Sequence, residues 1–128
     1  MTQQPTAPVD RKELTRRYKE TRRPMGIFCV RNTANGKVLI GSSVDLPSRL
    51  NRERAQLRLG AHPNPGLQKD WNRQGPETFL FETLDTLAPP ETPEYDPASD
   101  LDVLEKMWLD KLRPFGEKGY NVKSDKAK

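Results

Sequence analysis

The sequence predicts an α+β fold in which a three-stranded antiparallel sheet is flanked by helices. The first observation is a pair of short runs rich in β-branched residues on either side of Asn35-Gly36, a dipeptide that strongly favours a tight hairpin turn. These runs predict strands over about 26–31 and 37–41. The second observation is a third such run, TFLFETL, at about 78–84. Strands this short and few do not suit a parallel sheet, so we expect helices to cover an antiparallel one.

Two helices are predicted between the hairpin and the third strand. Asp45 and Pro47 open the first, and Gly60 closes it. Its apolar residues share one face: Leu46, Leu50 and Leu57. The second helix is the short segment LQKDWNRQ, where Leu67 and Trp71 are four residues apart and therefore lie on the same side.

A helix is also predicted near each end of the chain. Residues 10–23, DRKELTRRYKETRR, form a basic N-terminal helix that stops at Pro24. Asp100 caps a final helix, LDVLEKMWLDKL, which Pro114 terminates. The first of these helices has a narrow apolar edge and is mainly a basic arm.

The 128 residues fit one domain, which we expect to span residues 25–121. Residues 88–99 read as an exposed, acidic, proline-rich loop, and the polar tails 1–9 and 122–128 as disordered. No apolar stretch approaches the roughly 20 residues of a membrane span, and the N-terminus lacks the apolar core of a signal peptide. We therefore expect a cytoplasmic protein that does not associate with membranes. A single cysteine, Cys29, excludes an internal disulfide and a CxxC zinc site.

The net charge of +4 hides a segregation of charge along the chain. The segments 1–24, 45–75 and 111–128 are basic, whereas residues 77–110 carry ten acidic side chains against Lys106 alone. If the basic segments converge in space, they form a surface that favours a phosphate backbone, because released counterions drive nucleic-acid binding. The alternative from the charge pattern alone is an ordinary solvated surface.

One carboxylate falls on an apolar helix face. At about 100° per residue, Glu105 lies inside the apolar arc of the final helix. The members of that arc are Leu101, Leu104, Trp108, Leu109 and Leu112. A buried carboxylate costs several kcal/mol unless a cation, a metal or several donors compensate it. The pattern is open to two interpretations, a structural salt bridge and a functional site.

The helix at 46–59 poses a similar question. Glu53 lies within its apolar arc, and Arg49 lies at the edge of that arc, four residues away. The pair can be an intrahelical ion pair worth a few tenths of a kcal/mol, or Arg49 can grip a phosphate, for which its planar fork is suited. His62 lies in the loop AHPNPG, and a lone histidine there is more often a surface residue than a ligand.

The order of these motifs resembles that of the GIY-YIG nucleases. Gly26-Ile27-Phe28 is similar to the first signature and Leu39-Ile40-Gly41 to the second, with NTANGKV as the hairpin between them. The motifs that follow keep the order of that family: SSVDLPSRL with Arg49, GAHPNPGLQKDW with His62, LEKMW with Glu105, and GYN with Asn121. The resemblance runs from about residue 25 to residue 121, and the segments LQKDWN and FGEKGYN are similar to those of small bacterial members.

The resemblance implies divalent-metal-dependent hydrolysis of DNA phosphodiester bonds. Glu105 would bind one metal ion, Mg²⁺ or Mn²⁺, and Arg49 would steady the scissile phosphate, while His62 and Asn121 would orient substrate or close the site. This chemistry needs a charge clamp on the phosphate, a metal for the leaving oxygen and a base for the attacking water. The partner is DNA, with RNA as the other candidate. We expect four residues to contact it: Arg49, Arg52, Lys69 and Arg73.

The chain departs from the pattern of the GIY-YIG nucleases at three site positions. Phe28 replaces the tyrosine of the first signature and Leu39 that of the second, so both phenolic hydroxyls are absent. Glu53 stands where many members have a histidine. Losing a general base typically costs about 10²- to 10⁴-fold in rate. Glu53 could act as a substitute base or could neutralise Arg49, and Tyr120 is another candidate hydroxyl.

Three functions are compatible with the sequence. The first is a nuclease with an altered or weakened site, acting through Arg49, Glu105 and a base that is not a tyrosine. The second is an inactive nucleic-acid-binding module on the same fold. The third is a protein-interaction role, in which the acidic loop at 88–99 meets a basic partner.

Overall fold

The structure is a computed structural model, and it describes Lys12, residues 23–90, residue 92 and residues 94–123. Apart from Lys12, Arg23 and residues 122 and 123, the predicted basic helix at 10–23 and the predicted tails at 1–9 and 122–128 lie outside the described residues. Within these ranges the chain forms three strands and three helices, with short 3₁₀ turns at Pro76–Thr78 and Gly116–Lys118. In chain order the elements are β1 Met25–Asn32, β2 Val38–Ser43, α1 Leu46–Leu59, α2 Pro65–Gln74, β3 Phe79–Leu87 and α3 Ala98–Leu112.

The predicted three-stranded antiparallel sheet is confirmed. Its strand order is β2-β1-β3, and β1 in the centre pairs antiparallel with both neighbours. The hairpin turn lies where Asn35-Gly36 predicts it, closed by a hydrogen bond from the Asn32 amide to the Lys37 carbonyl of 2.9 Å. Gly36 takes the positive φ of 80° that the turn needs.

Two helices begin earlier than predicted because local capping groups start them. Asn64 caps α2 by accepting a hydrogen bond from the Leu67 amide at 3.0 Å, so this helix begins at Pro65. The final helix begins at Ala98, inside the predicted loop at 88–99, because the Asp96 carboxylate accepts from the Ala98 amide at 3.0 Å. Asp100 is therefore a first-turn residue and not the cap.

One face of the sheet packs against α1 and α2. Side chains alternate between the two faces along a strand, so Phe28 and Val30 of β1 point to the same side. They form a buried cluster with residues of both helices, of β3 and of the C-terminal segment: Leu46, Leu57, Leu67, Trp71, Phe79 and Tyr120. This cluster fixes α1 against the strand that carries the first signature.

The opposite face packs against α3. Ile27 and Cys29 of β1 and Val38 and Ile40 of β2 form a second buried cluster. The partly buried side chains against it include three from α3, namely Leu104, Trp108 and Leu109. Leu101 is also buried, but Leu112, the last member of the predicted arc, is 37% exposed because the helix ends there beyond the sheet.

The C-terminal segment covers part of the outer edge of β2. The Tyr120 amide donates to the Val38 carbonyl at 2.9 Å. The Asn121 side chain then accepts from the Ile40 amide and donates to the Ile40 carbonyl, each at 2.8 Å. On this outer edge, which faces away from β1, no described residue forms a backbone hydrogen bond with β2 beyond Ile40, so residues 41–43 form an open end of the edge. Among the described helices, none is long and apolar enough to cross a membrane.

Replacing Gly41 by alanine should destabilise the fold by about 1–3 kcal/mol, because overpacking forces neighbouring groups to move. A Cβ at this position would lie 2.6 Å from the ring of Phe28. The matched control is Gly66→Ala in α2, whose Cβ would meet ordinary contacts at 3.5 Å and 3.6 Å and whose better helix propensity should make it neutral or stabilising. Urea denaturation measures both changes, and an unaffected Gly41→Ala variant would show that the ring is not packed this way.

Candidate active site

The Arg49 guanidinium is held on two sides. Its central carbon lies 4.7 Å from the centroid of the Phe28 ring, a cation–π geometry. Its Nε donates a hydrogen bond to Glu53 Oε2 at 2.9 Å, one helical turn further along α1. The N-terminus of α1 is itself fixed by Asp45, whose carboxylate accepts from the Ser48 amide and hydroxyl. Arg49 therefore has one defined orientation.

His62 completes the support of Glu53. Its Nε2 lies 2.6 Å from Glu53 Oε1, and its Nδ1 accepts a hydrogen bond from the Asn64 amide at 3.0 Å. Since Nδ1 is an acceptor, the ring proton is on Nε2 and is donated to the carboxylate. His62 is buried, in contrast to the surface position expected of a lone histidine in a loop.

Glu53 is a buried carboxylate with both oxygens engaged. Its side chain is 3% exposed. Burial acts to raise its pKa, but the hydrogen bonds from His62 and Arg49, together with the charge of Arg49, outweigh burial and hold the pKa below its ordinary value. Of the two alternatives for this residue, the geometry favours the one in which Glu53 holds Arg49, since a carboxylate with a lowered pKa is a weaker proton acceptor than a free one.

The terminal nitrogens of Arg49 remain available for a ligand. Hydrogen bonds to other described residues use Nε alone, and the side chain is 31% exposed. Two parallel N–H groups on a rigid planar fork match the oxygens of a phosphate. The site can therefore bind a phosphodiester while Glu53 fixes the direction of the fork.

Glu105 lies on the other face of the sheet, partly buried on α3. Its Oε1 accepts a hydrogen bond from the Ser42 hydroxyl at 2.7 Å. Within the described ranges no lysine, arginine or histidine forms an ion pair with this carboxylate, so the structural salt bridge considered for it is not found there. The serine compensates part of the charge and leaves the second oxygen for another ligand.

Glu105 is suited to hold a divalent metal through one carboxylate. Among the described residues no three acidic, histidine or cysteine side chains are grouped as a ready-made metal cage. Mg²⁺ is commonly held by one or two carboxylates together with substrate phosphates and water, and Glu105 provides one such ligand without a competing cation. A single-carboxylate site of this kind fits the residues present.

The two halves of the site approach each other at the open end of β2. Gly41 is paired with Phe28, whose ring carries Arg49, and the next residue, Ser42, binds Glu105. Consecutive residues of a strand point to opposite faces, so Arg49 and Glu105 belong to opposite sides of the sheet. Gly41 and Ser42 of the edge strand therefore connect the Arg49 side of the sheet with the Glu105 side.

Both positions at which a signature tyrosine is missing lie in apolar surroundings. Phe28 is 1% exposed, and the far end of its ring reaches over Gly41. Leu39 is half-buried, pairs with Val30 and packs against the same cluster. Neither side chain can take or give a proton, and the Phe28 ring has kept a role as the platform for Arg49.

Tyr120 and Asn121 are occupied by structural hydrogen bonds. The Tyr120 hydroxyl donates to Asp70 at 2.7 Å and accepts from Asn32 at 2.9 Å. Burial is the main cause that raises the pKa of Tyr120 to about 12, with Asp70 adding to it. This hydroxyl is therefore a poor substitute for a signature tyrosine. Asn121 binds the backbone of Ile40 through both side-chain atoms and thereby fixes the edge of β2.

The other residues expected to contact nucleic acid are on exposed helix surfaces. Arg52 is exposed on α1, and Lys69 and Arg73 are exposed on α2. Arg73 also forms an ion pair with Asp70 at 3.1 Å. These three positions stay predictions as contacts, and the structure brings none of them into the hydrogen-bonded cluster around Arg49.

Ser42 and Asn64 are two site residues that sequence reasoning missed. Ser42 continues the alternation of Val38 and Ile40 towards α3, and this period-2 pattern was the signal that could have found it. Asn64 links three parts of the site: it caps α2, its amide binds His62, and its side chain donates to the Tyr120 carbonyl at 2.7 Å.

Two solved structures with a similar fold are nuclease domains. The catalytic domain of the homing endonuclease I-TevI superposes with a TM-score of 0.65 at 27% sequence identity, covering 78% of this chain and 99% of that domain. This similarity supports the resemblance to the GIY-YIG family. A glutamate-to-alanine mutant of the intron endonuclease I-TevI catalytic domain gives a TM-score of 0.63 at 26% identity, covering 78% of this chain and 94% of that one.

A match among curated proteins is shorter. The chain is 38% identical over 50 residues to intron-associated endonuclease 1 of Enterobacteria phage T4. The matched segment is 39% of this chain and spans a fifth of the phage protein. No protein-family model matches the chain.

Replacing Glu53 by glutamine should flatten the acid side of the stability profile. Because its folded-state pKa lies below the ordinary 4.5, Glu53 contributes stability that is fully present above that value and is lost as the pH falls through the lower pKa. We expect the free energy of unfolding of the wild type, measured in urea, to decrease more steeply below about pH 5 than that of Glu53→Gln. Glu94→Gln, at an exposed turn, should leave the profile as it is. Parallel curves for wild type and Glu53→Gln would contradict the arrangement around Glu53.

Proposed function

We propose that this GIY-YIG domain is an endonuclease that hydrolyses DNA phosphodiester bonds with a divalent metal ion, at a rate lowered by the loss of both signature tyrosines. The observation that carries the proposal is the state of Arg49. Its guanidinium is stacked on Phe28 and tied to Glu53 through Nε, while its terminal nitrogens bind none of the described residues. A charged fork fixed in this way is preorganised for the oxygens of a phosphate.

Arg49 would bind and orient the scissile phosphate in the proposed reaction. Its charge neutralises the non-bridging oxygens, which become more negative as the attacking oxygen approaches. The support from Glu53 and His62 means that little reorganisation is needed at that moment. Charge stabilisation that is fixed in advance is usually the largest single contribution to catalysis.

Glu105 would hold the metal ion, Mg²⁺ or Mn²⁺, beside the leaving oxygen. Ser42 orients the carboxylate through its 2.7 Å hydrogen bond, so that the second oxygen is directed by the protein. When bound, the metal supplies charge stabilisation for the leaving oxygen. The similarity to homing-endonuclease and intron-endonuclease domains supports this assignment of DNA cleavage.

The missing component is a general base for water. Phe28 and Leu39 have no proton acceptor, Glu53 uses both oxygens, and the Tyr120 hydroxyl is bound by Asp70 and Asn32. The same observation favours a second candidate function, an inactive module that binds nucleic acid without cutting it. Both functions use Arg49, and they differ only in whether the bond is broken.

Nicking of supercoiled plasmid separates the two candidates. With Mg²⁺ or Mn²⁺ present, we expect the wild type to nick the plasmid slowly and Arg49→Ala or Glu105→Ala to lower the rate by about 10²-fold or more, the typical cost of removing one charge-stabilising group. The matched control is Asp102→Ala, an exposed acid on α3 whose partner is Lys106, which should nick as the wild type does. Equal background from wild type and Glu105→Ala would support the binding module instead.

The change Phe28→Tyr should increase the nicking rate, by up to the roughly 10²- to 10⁴-fold that a general base contributes. The ring already reaches over Gly41 towards the open edge of β2, so an added hydroxyl at its tip points to the proposed ligand position. Phe81→Tyr on the opposite edge strand is the control and should change nothing in the nicking rate. A folded Phe28→Tyr variant that is no faster than the wild type would show that another component of the site is absent.

A further inference from the structure

A basic groove lies beside the candidate active site, between α2, the β1–β2 turn and the C-terminal segment. Its volume is about 500 Å³, and its lining includes Lys37, Lys69, Asp70, Arg73, Gly119 and Tyr120. Three of these side chains are cations. They come from the hairpin and from two successive turns of one face of α2, because Lys69 and Arg73 are four residues apart. We call this surface the α2 groove.

The single acid of the α2 groove does not cancel this charge. Asp70 is 7% exposed, and its oxygens are used by the Tyr120 hydroxyl at 2.7 Å and by Arg73 at 3.1 Å. Lys37 is held over the Tyr120 ring, with its Nζ 5.8 Å from the ring centroid. The Arg73 side chain remains 62% exposed despite its ion pair, so its guanidinium can reach a ligand.

The α2 groove lies on the same face of the sheet as Arg49, because α1 and α2 pack against the same buried cluster. A neighbouring depression of about 600 Å³ shares Lys69 and Arg73 with the groove and is also lined by His62. His62 binds Glu53, and Glu53 binds Arg49, so a buried pair of side chains links this surface to the arginine.

The described surface favours contacts with a backbone over contacts with unstacked bases. Proteins that bind single strands present exposed aromatic rings on which bases stack. Among the described residues Tyr95 is the exposed aromatic, and it lies beside acidic side chains, hydrogen-bonded to Asp100. Trp71 and Tyr120 near the groove are buried. Cations without stacking platforms suit the outer phosphates of a duplex, whose bases are already stacked.

We propose that Lys37, Lys69 and Arg73 form a second phosphate-binding surface, which holds the backbone of a DNA duplex next to the phosphate bound by Arg49. This inference rests on the proposed function for its choice of ligand. It places the flanking DNA along α2 and the hairpin turn, on the side of the sheet that carries Arg49. The three residues bind the DNA and have no part in the bond-breaking step.

The test is equilibrium binding of a 20-base-pair duplex, followed by fluorescence anisotropy in EDTA so that no cleavage occurs. The groove variant carries Lys37→Gln, Lys69→Gln and Arg73→Gln. The control variant carries Lys106→Gln, Lys111→Gln and Arg113→Gln, at exposed cations on or next to α3, and changes the net charge equally. We expect the groove variant to bind at least about tenfold more weakly at roughly 0.1 M salt and to lower the slope of log K against log salt by about 2 to 3.

Every other result contradicts the proposed role of the α2 groove in DNA binding. Equal weakening by the two variants would indicate a bulk charge effect, and unchanged binding by the groove variant would remove its role. Wild-type binding that is absent or independent of salt, or a single strand that competes as well as the duplex, would exclude a duplex backbone as the ligand. If the triple variant unfolds in a thermal melt, Lys69→Gln and Arg73→Gln decide singly, each lowering the slope by about 1.

The outcome is independent of the cleavage test. Binding is measured in EDTA, where no bond is broken, so it does not depend on the hydrolytic step. A groove variant that loses binding while the wild type fails to nick plasmid would leave the groove in place and remove the nuclease. If the wild type nicks plasmid and the groove variant binds DNA normally, the nuclease proposal is kept and the role of the groove is rejected.

Discussion

The buried Glu53 carboxylate is the constraint on which the candidate site depends. A charge removed from water is tolerated only when its partners are close and well oriented, and breaking such a pair by removing one partner is costly. Glu53 has two partners, Arg49 from its own helix and His62 from the turn that follows it. If either partner moved away, the carboxylate would remain in the apolar core with less compensation for its charge. The arginine is therefore held in place by the cost of releasing it, and its free nitrogens keep a constant direction.

How much of the fold and of the candidate site could be predicted from the sequence depends on how far apart the interacting residues are in the chain. The hairpin, the three helices between residues 46 and 112 and the Arg49–Glu53 pair follow from local signals, and the structure contains them. The resemblance in motif order is also supported by the solved nuclease domains of similar fold. The contact of His62 with Glu53 requires the chain to turn between α1 and α2, and Ser42 and Glu105 are 63 residues apart. A periodic pattern of residues along the sequence does not reveal contacts of this kind. The identity of Asn121 as a clamp on Ile40 was equally hidden, because its partner is backbone 81 residues away.

The edge of β2 connects the two halves of the site. An unpaired edge strand is a liability, and proteins usually cover it. Here the C-terminal segment covers it as far as Ile40 and stops, where Gly41 lies under the Phe28 ring and Ser42 binds Glu105. Groups from α1 and from α3 would otherwise be separated by the thickness of the sheet. Placing both at the open end of an edge strand allows one ligand to contact them without any opening in the core.

The arrangement separates the binding of charge from the movement of protons. The group that would neutralise a phosphate, the fork of Arg49, is present and supported, and the Glu105 carboxylate that would hold the metal is oriented by Ser42. The groups that would accept a proton from water are replaced or already bonded. Phe28 shows why the first property survives the loss of the second, since its ring supports the guanidinium whether or not it carries a hydroxyl. Affinity for phosphate and the rate of hydrolysis thus depend on different groups, so a domain of this fold can keep the first when the second is lowered.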